Sequence, residues 1–490
     1  MANGDDEHTL DPGDWSAARA LAHRAVDEAI DHLARVRERP AWREPPPSVH
    51  AFFDAPLPRE ATPLEQVYRD WQEQVRPYPM GNIHPRFWAW FMGAGHFTGA
   101  LADFLAAVDG SNLGGGHTAP ALVDRQVVRW LREMVGFPEG ASGTLTNGGS
   151  AANLVALTVA RNVKAAEAGV DVRAAGVTAL PRPLRFYASE QVHSCHQKAL
   201  EVLGLGREAL HLVATDAGHR IDLAALRSAV AEDRARGTQP AAVIASAGTV
   251  NTGAVDDLRA VGEFCRREGL WFHVDGCIGA LLRIAPAHRH LVAGIEQADS
   301  VALDPHKWLH APFDVGCALV RDAHAHHASF ALHPEYLEEH ARGIAGAPHL
   351  FDYGIELSRS FRALKVWMML REHGVEAFGR LIDQNIAQAQ HLAQRITAEP
   401  MLELMAPVAT NIVCFRHRLP GADEAALKEF NTEILLRVQE SGLAVPTDTT
   451  LAGRHSLRVA IANHRTRRAD LDLLVDEVLR LGALLQNRAA

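Results

Sequence analysis

Between residues 97 and 365, short apolar runs alternate with stretches whose apolar residues recur every three or four positions. "GTLTN" precedes "SAANLVALTVARNVKAA", "LRFYAS" precedes "HSCHQKALEVLG", and "AAVIAS" precedes "DDLRAVGEFCRREG"; "LWFHVDG" and "SVALD" follow. Short apolar runs of this kind read as strands buried on both faces, and the periodic stretches as amphipathic helices. The alternation therefore predicts an α/β unit with a mainly parallel sheet covered on both sides. The flanks differ. Residues 14–38 carry apolar positions at helical spacing, then "RPAWREPPPSVHAFFDAPLPRE" breaks the helix with prolines, and a short helix follows near 63–76. Isolated helices with so little core must lie on the rest of the chain or on a second copy of it. The last stretch reads as one long helix through "VWMMLREHGVEAFGRLIDQNIAQAQHLAQRI", strands "TNIVCFR" and "SLRVAIA", and a closing helix from Asp470. The predicted organisation is a helical segment over 1–96, a large α/β domain over 97–365 and a small α+β domain over 366–490.

Composition narrows the function. With 490 residues, 47% hydrophobic and 22% charged, the chain is an ordinary globular one with room for two or three domains. A net charge of −10 argues against a nucleic-acid binder or a basic membrane-surface protein. The five cysteines are scattered and never form a CxxC pair, so neither a disulfide framework nor a thiolate zinc site is indicated. The acidic start and the lack of any long apolar run predict a cytoplasmic protein without a membrane span.

Four features at predicted strand ends carry chemistry. In "TLTNGGSAANL" a strand runs into Gly148, Gly149 and Ser150 before a helix, so backbone N–H groups and the helix dipole converge where a phosphate would sit; the same residues also fit a tight turn with Ser150 as its cap. "LWFHVDG" ends an apolar strand with Asp275, a carboxylate that needs a cationic or hydrogen-bonding partner. "SVALDPHKWLH" ends the next strand with Lys307 among apolar and aromatic neighbours. Such surroundings predict a lowered pKa and an amine able to form a Schiff base, although most lysines are surface residues. "YASEQVHSCHQKAL" places His193 just beyond a fourth strand. A phosphate cradle, a carboxylate for a ring nitrogen, an amine for an aldehyde and a flat imidazole together match pyridoxal 5′-phosphate.

The motifs "DPHKW", "HVDG", "NGGSAANL", "AGTVNTGAVD" and "HPRFWAWF" resemble the group II pyridoxal-phosphate-dependent amino-acid decarboxylases, in order and over about residues 16 to 480. The resemblance implies fold type I, the aspartate-aminotransferase-like α/β architecture, and a homodimer with interfacial active sites and the N-terminal segment on the partner. It implies that Lys307 holds the cofactor covalently, Asp275 pairs with the pyridine nitrogen and His193 stacks on the ring. Gly149, Ser150 and His306 would surround the phosphate and the lysine, with Thr249 and Cys277 in the pocket. Tyr336, in the long aperiodic stretch 331–354, matches the lid tyrosine that protonates the carbanion; relatives lacking it form aldehydes.

For the substrate, Trp90 and Phe91 in "HPRFWAWF" and Ser358 in "GIELSRSF" match side-chain pocket positions, which implies decarboxylation of an aromatic or imidazole amino acid to its amine. An acidic substrate held by Arg359 or Arg362 is the alternative within the family, beside an aldehyde-forming decarboxylase-oxidase. Outside the family, "GLGREA" at 204–209 closes a helix instead of opening one, so it is not a dinucleotide fingerprint. A metal-dependent hydrolase is suggested by the 27 histidines and by "HSCH" with His273, His306 and His310, but no HExxH helix supports it and no metal ligand is assigned.

Overall fold

The computed structural model describes residues 9–332, 340, 342–346 and 349–489. Seven strands build the central sheet: β1 Ser142–Thr146, β2 Leu184–Ser189, β3 Leu210–Val213, β4 Gln239–Ser246, β5 Trp271–Asp275, β6 Ser300–Leu303 and β7 Gly316–Val320. Their order is β1-β7-β6-β5-β4-β2-β3. Strands β6, β5, β4, β2 and β3 pair in parallel, while β7 runs antiparallel to both its neighbours, β1 and β6. The parallel pairs follow from the intervening helices, such as Leu258–Glu268 between β4 and β5. No long crossover helix separates β6 from β7, only the short turn of helix Pro305–Trp308 and a loop, and this geometry returns the chain antiparallel. Lys307 therefore sits on a compact connection at the C-terminal end of β6.

All five residues of β5 are buried, as are all of β6 and β7. Helix Gly149–Glu167 runs across the sheet and buries Ala152, Val155, Leu157 and Val159. A fully buried Trp308 anchors the Lys307 turn: its ring meets Phe91 edge-on at 5.7 Å, and its indole N–H donates to Asn385 Oδ1 at 3.0 Å.

The second sheet is antiparallel, with β8 Leu402–Leu404, β9 Ile412–His417, β10 Thr447–Leu451 and β11 Arg454–Ala460 in the order β10-β11-β9-β8. It shares a core with helices Val375–Ala398, Glu424–Glu440 and Arg468–Ala489 and with Trp88. The single long helix expected after residue 366 is instead two, Ala363–His373 and Val375–Ala398. They are separated by Gly374, whose φ of +70° ends the first. Helix Trp15–Ala34, capped by Asp14 Oδ1 on the Ser16 N–H at 2.8 Å, buries none of its residues. Among the described residues no helix is long and apolar enough to cross a membrane.

Candidate active site

The C-terminal ends of β1, β4, β5 and β6 converge on a cleft of about 400 Å³ lined by Gly149, His193, Asp275, Asp304, His306 and Lys307 among others. These residues arrive from four stretches of sequence, after β1, β2, β5 and β6, and in a parallel sheet these ends are where ligands bind.

Lys307 is about four-fifths buried, and its Nζ lies 3.0 Å from Asp304 Oδ2. Burial is the largest influence and works against its charge, but the Asp304 carboxylate, Cys277 and Asp275 together outweigh it and push the lysine above its usual range. The expectation of a lowered pKa, drawn from the apolar neighbours alone, is thus reversed by the polar groups of the cleft, with an acid three residues away first among them. Asp304 Oδ1 is buried in the cleft without a hydrogen-bond partner among the described residues. His306 accepts the Val315 N–H at 3.2 Å through Nδ1 and packs its ring 4.5 Å from that of Phe313.

Asp275 is buried at the end of β5. Its Oδ2 lies 2.7 Å from His196 Nε2, and Oδ1 accepts the Cys277 N–H at 3.2 Å. Burial would raise its pKa, yet these hydrogen bonds and the charge on His196 hold it well below the usual carboxylate range. His193 accepts the Cys195 N–H at 3.1 Å through Nδ1, which fixes the ring and leaves Nε2 to carry its proton.

Gly148, with φ of +139°, precedes helix Gly149–Glu167. A Cβ at Gly149 would collide with Cys277 Sγ and approach Asp304 Oδ2 to 2.7 Å, so this helix start is open only because it carries no side chain. Ser150 and Cys277 line the same cleft. The donor set therefore fits pyridoxal 5′-phosphate: free N–H groups at a helix start, an ionised carboxylate, an imidazole and an amine around one space.

Other expected site residues lie elsewhere. Thr249 is buried but turned into its own loop, accepting the Ala254 N–H at 3.0 Å and meeting Thr252 Oγ1 at 3.0 Å; Gly248 and Val250 line the cleft in its place. Trp90 and Phe91 do not line it either. Trp90, at φ of +51°, is 54% exposed, whereas Phe91 is buried against Trp308. Neighbouring residues of an irregular or extended segment point apart, so the pair does not form one wall. Ser358 is exposed and outside the cleft. Tyr336 falls outside the described residues.

Both arginines proposed for an acidic substrate are committed to the fold. Arg359 donates to the carbonyls of Leu113 and Leu145 and faces Asp124 at 3.6 Å. Arg362 holds Glu356 through both terminal nitrogens, at 2.8 and 3.0 Å, and Asp314 at 3.1 Å. The residue that sequence reasoning missed is His196; its signal was a second histidine in "HSCH", one helical turn after His193.

A buried lysine at a strand end, with an ionised aspartate on the neighbouring strand, suits a pyridoxal-phosphate enzyme of fold type I. Comparison with known proteins agrees. The family model described as "Pyridoxal-dependent decarboxylase conserved domain" matches residues 46–418. The chain is 33% identical over 458 residues to an aromatic-L-amino-acid decarboxylase of Bacillus atrophaeus, covering 91% of this chain and 92% of that one. It is 30% identical to a phenylacetaldehyde synthase of Arabidopsis thaliana, covering 94% of each. A crystal structure of Oryza sativa TDC with PLP and tryptamine superposes with a TM-score of 0.89 at 26% identity, covering 97% of this chain and all of that one. The chain belongs to the pyridoxal-dependent decarboxylase family and is a pyridoxal-phosphate-dependent amino-acid decarboxylase.

Proposed function

We propose that this enzyme decarboxylates an aromatic L-amino acid to the corresponding amine. The reading is supported above all by the commitment of Arg359 and Arg362 to internal partners, which leaves neither guanidinium to receive an acidic side chain. The names of the relatives, which include aromatic-L-amino-acid, tryptophan and tyrosine decarboxylases, point the same way. An imidazole side chain is the second candidate within the same reading.

Lys307 would take the cofactor's aldehyde, and Asp275 the proton-bearing pyridine nitrogen. His193 would lie against the ring, and the N–H groups after Gly148, with Ser150, would hold the phosphate. Bound there, pyridoxal phosphate supplies an electron sink for the pair released when the Cα–carboxylate bond breaks. The chain's own residues prepare that step. Asp304 Oδ2, 3.0 Å from Lys307 Nζ, holds the lysine nitrogen in place in the cleft. Asp275 stays anionic, so it favours a proton on the ring nitrogen it faces. Tyr336 is assigned from sequence alone as the donor that returns a proton to the substrate carbon.

A second copy of the chain would cover the apolar surface left by residues 15–109. Helix Trp15–Ala34 exposes Trp15, Val26 and Ile30, and helix Phe97–Asp109 exposes Phe104 and Val108. Exposure on this scale along an N-terminal arm suits an obligate homodimer. Five unpaired, buried cysteines suit a reducing compartment such as the cytoplasm.

The test is CO₂ release by the holoenzyme over a panel of aromatic, imidazole and acidic L-amino acids, with product identified by mass. Stoichiometric amine from tryptophan, tyrosine, phenylalanine or an analogue supports the reading; release confined to glutamate or aspartate refutes it. Aldehyde and peroxide in place of amine would assign the oxidative chemistry of the aldehyde-forming relatives.

A further inference from the structure

Asp275 does not stand alone at the floor of the cleft. His196, the second residue of helix Cys195–Val202, is fully buried and turns Nε2 onto Asp275 Oδ2 at 2.7 Å. Behind it the ring of His273 on β5 lies 5.9 Å away, inclined at 64°. His273 is itself held at both nitrogens, by Asn153 Oδ1 at 2.7 Å and Ser300 Oγ at 2.9 Å. The Asn153 amide also reaches Cys195 Sγ at 3.5 Å and Cys277 Sγ at 3.7 Å. The groups facing His196 are therefore the Asp275 carboxylate, the neutral His273 ring and the Cys195 thiol, with Lys307 farther out across the cleft.

Two charges follow from this packing. Burial alone would strip His196 of its proton, but the Cys195 thiol and the Asp275 carboxylate together push its pKa up to about 10. In return, burial of Cys195 is outweighed by His196 and His193, and its thiol is drawn down to about 7. The other four thiols, Cys265, Cys277, Cys317 and Cys414, are all pushed up by burial. Of the two cysteines on the cleft, Cys195 is thus the one with thiolate character.

We propose that His196 is a positioning residue whose imidazolium keeps the Asp275 carboxylate oriented toward the pyridine nitrogen of the cofactor, with Cys195 as the third member of the same buried array. This rests on the reading of the cleft given above. Removing His196 leaves the buried Asp275 with one backbone donor, and a carboxylate so placed reprotonates or turns away.

The experiment uses the full chain freed of cofactor, with His196→Leu, His196→Gln and Asp275→Asn variants. Two quantities are measured: the affinity for added pyridoxal phosphate, and the pH midpoint of Cys195 alkylation by iodoacetamide, with Cys195→Ala identifying the signal. His196→Leu weakens cofactor affinity by at least about tenfold, the lower end of what orienting partners of a bound group contribute. It also raises the alkylation midpoint. His196→Gln, which keeps a donor but no charge, recovers part of the affinity and none of the thiol shift. If His196→Leu does not fold, the midpoint in His196→Gln decides, and an unchanged midpoint there overturns the proposal. Native affinity in His196→Leu alongside loss of cofactor in Asp275→Asn overturns the role of His196 alone; native affinity in both overturns the reading of the cleft itself.

Discussion

Lys307 Nζ and Asp304 Oδ2 lie 3.0 Å apart in the cleft beside Phe313, and this contact, with Cys277 and Asp275, reverses the effect of burial on the lysine. A lysine in apolar surroundings sheds its proton; one held beside a buried carboxylate keeps it.

Replacing Asp304 by Asn removes the first of the charges that oppose burial. The Lys307 pKa in cofactor-free protein should then fall, because desolvation is left opposed only by Cys277 and Asp275. Competitive labelling of lysines with acetic anhydride across pH measures it directly. A Lys307 labelling midpoint equal to that of the native protein would show that Asp304 does not control the amine.

The Asp275–His196 pair predicts a pH window. His196 is raised from 6.5 to about 10, so its stabilisation is complete below pH 6.5 and is lost as pH rises through about 10. Asp275 is depressed, so its share is present above about pH 3.8 and is lost only as pH falls below that. Cys195, drawn down to about 7, acts in the opposite sense between 7 and 9. In a Cys195→Ala background stability should decline steadily from pH 6.5 upward, and sooner than in the native protein because one of the charges raising His196 is gone. Urea denaturation midpoints from pH 6 to 10 measure this, and a midpoint in that background that stays flat across the range contradicts the ion pair.

How much of this was legible in the sequence varies with the element. The strand bearing Asp275 and the lysine turn after β6 were readable, because fully buried parallel strands are short unbroken apolar runs and the motif residues sit at their ends. Strand β7, "GCALV", was missed because an apolar run of five beside a helical turn carries no periodicity of its own. The edge strands β8 and β10, "LEL" and "TDTTL", are short and half polar, so only their pairing reveals them. Gly374 gave a visible break that the strong helical period on either side concealed. His196 and Asp304 act through partners close in space, and spacing does not report which way a side chain turns. Trp90 and Phe91 were adjacent in sequence, which itself argued against a shared wall.

Gly149→Ala should purify as a folded protein that binds pyridoxal phosphate poorly, because the added methyl meets Cys277 Sγ and Asp304 Oδ2 at the helix start. Far-ultraviolet circular dichroism checks the fold and absorbance titration checks the cofactor. Native cofactor affinity in this variant would place the phosphate elsewhere.

Trp308→Ala removes a fully buried ring packed on Phe91 and bonded to Asn385, and a loss of about 3–5 kcal/mol in urea unfolding is expected for such a truncation. A loss below about 1 kcal/mol would mean that the turn is not anchored through this ring.

Arg359→Gln leaves Asp124 buried without its cation, so the expected outcome is destabilisation of about 3–5 kcal/mol with no change in preference between aromatic and acidic amino acids. Stability within about 0.5 kcal/mol of native together with an altered substrate preference would return the arginine to the substrate site.

The central claim is tested most directly by reducing the holoenzyme with borohydride, digesting it and locating the cofactor by mass spectrometry. The account expects the phosphopyridoxyl group on Lys307 and its absence from Lys307→Ala. A holoenzyme that carries the group on another lysine, or on none, contradicts it.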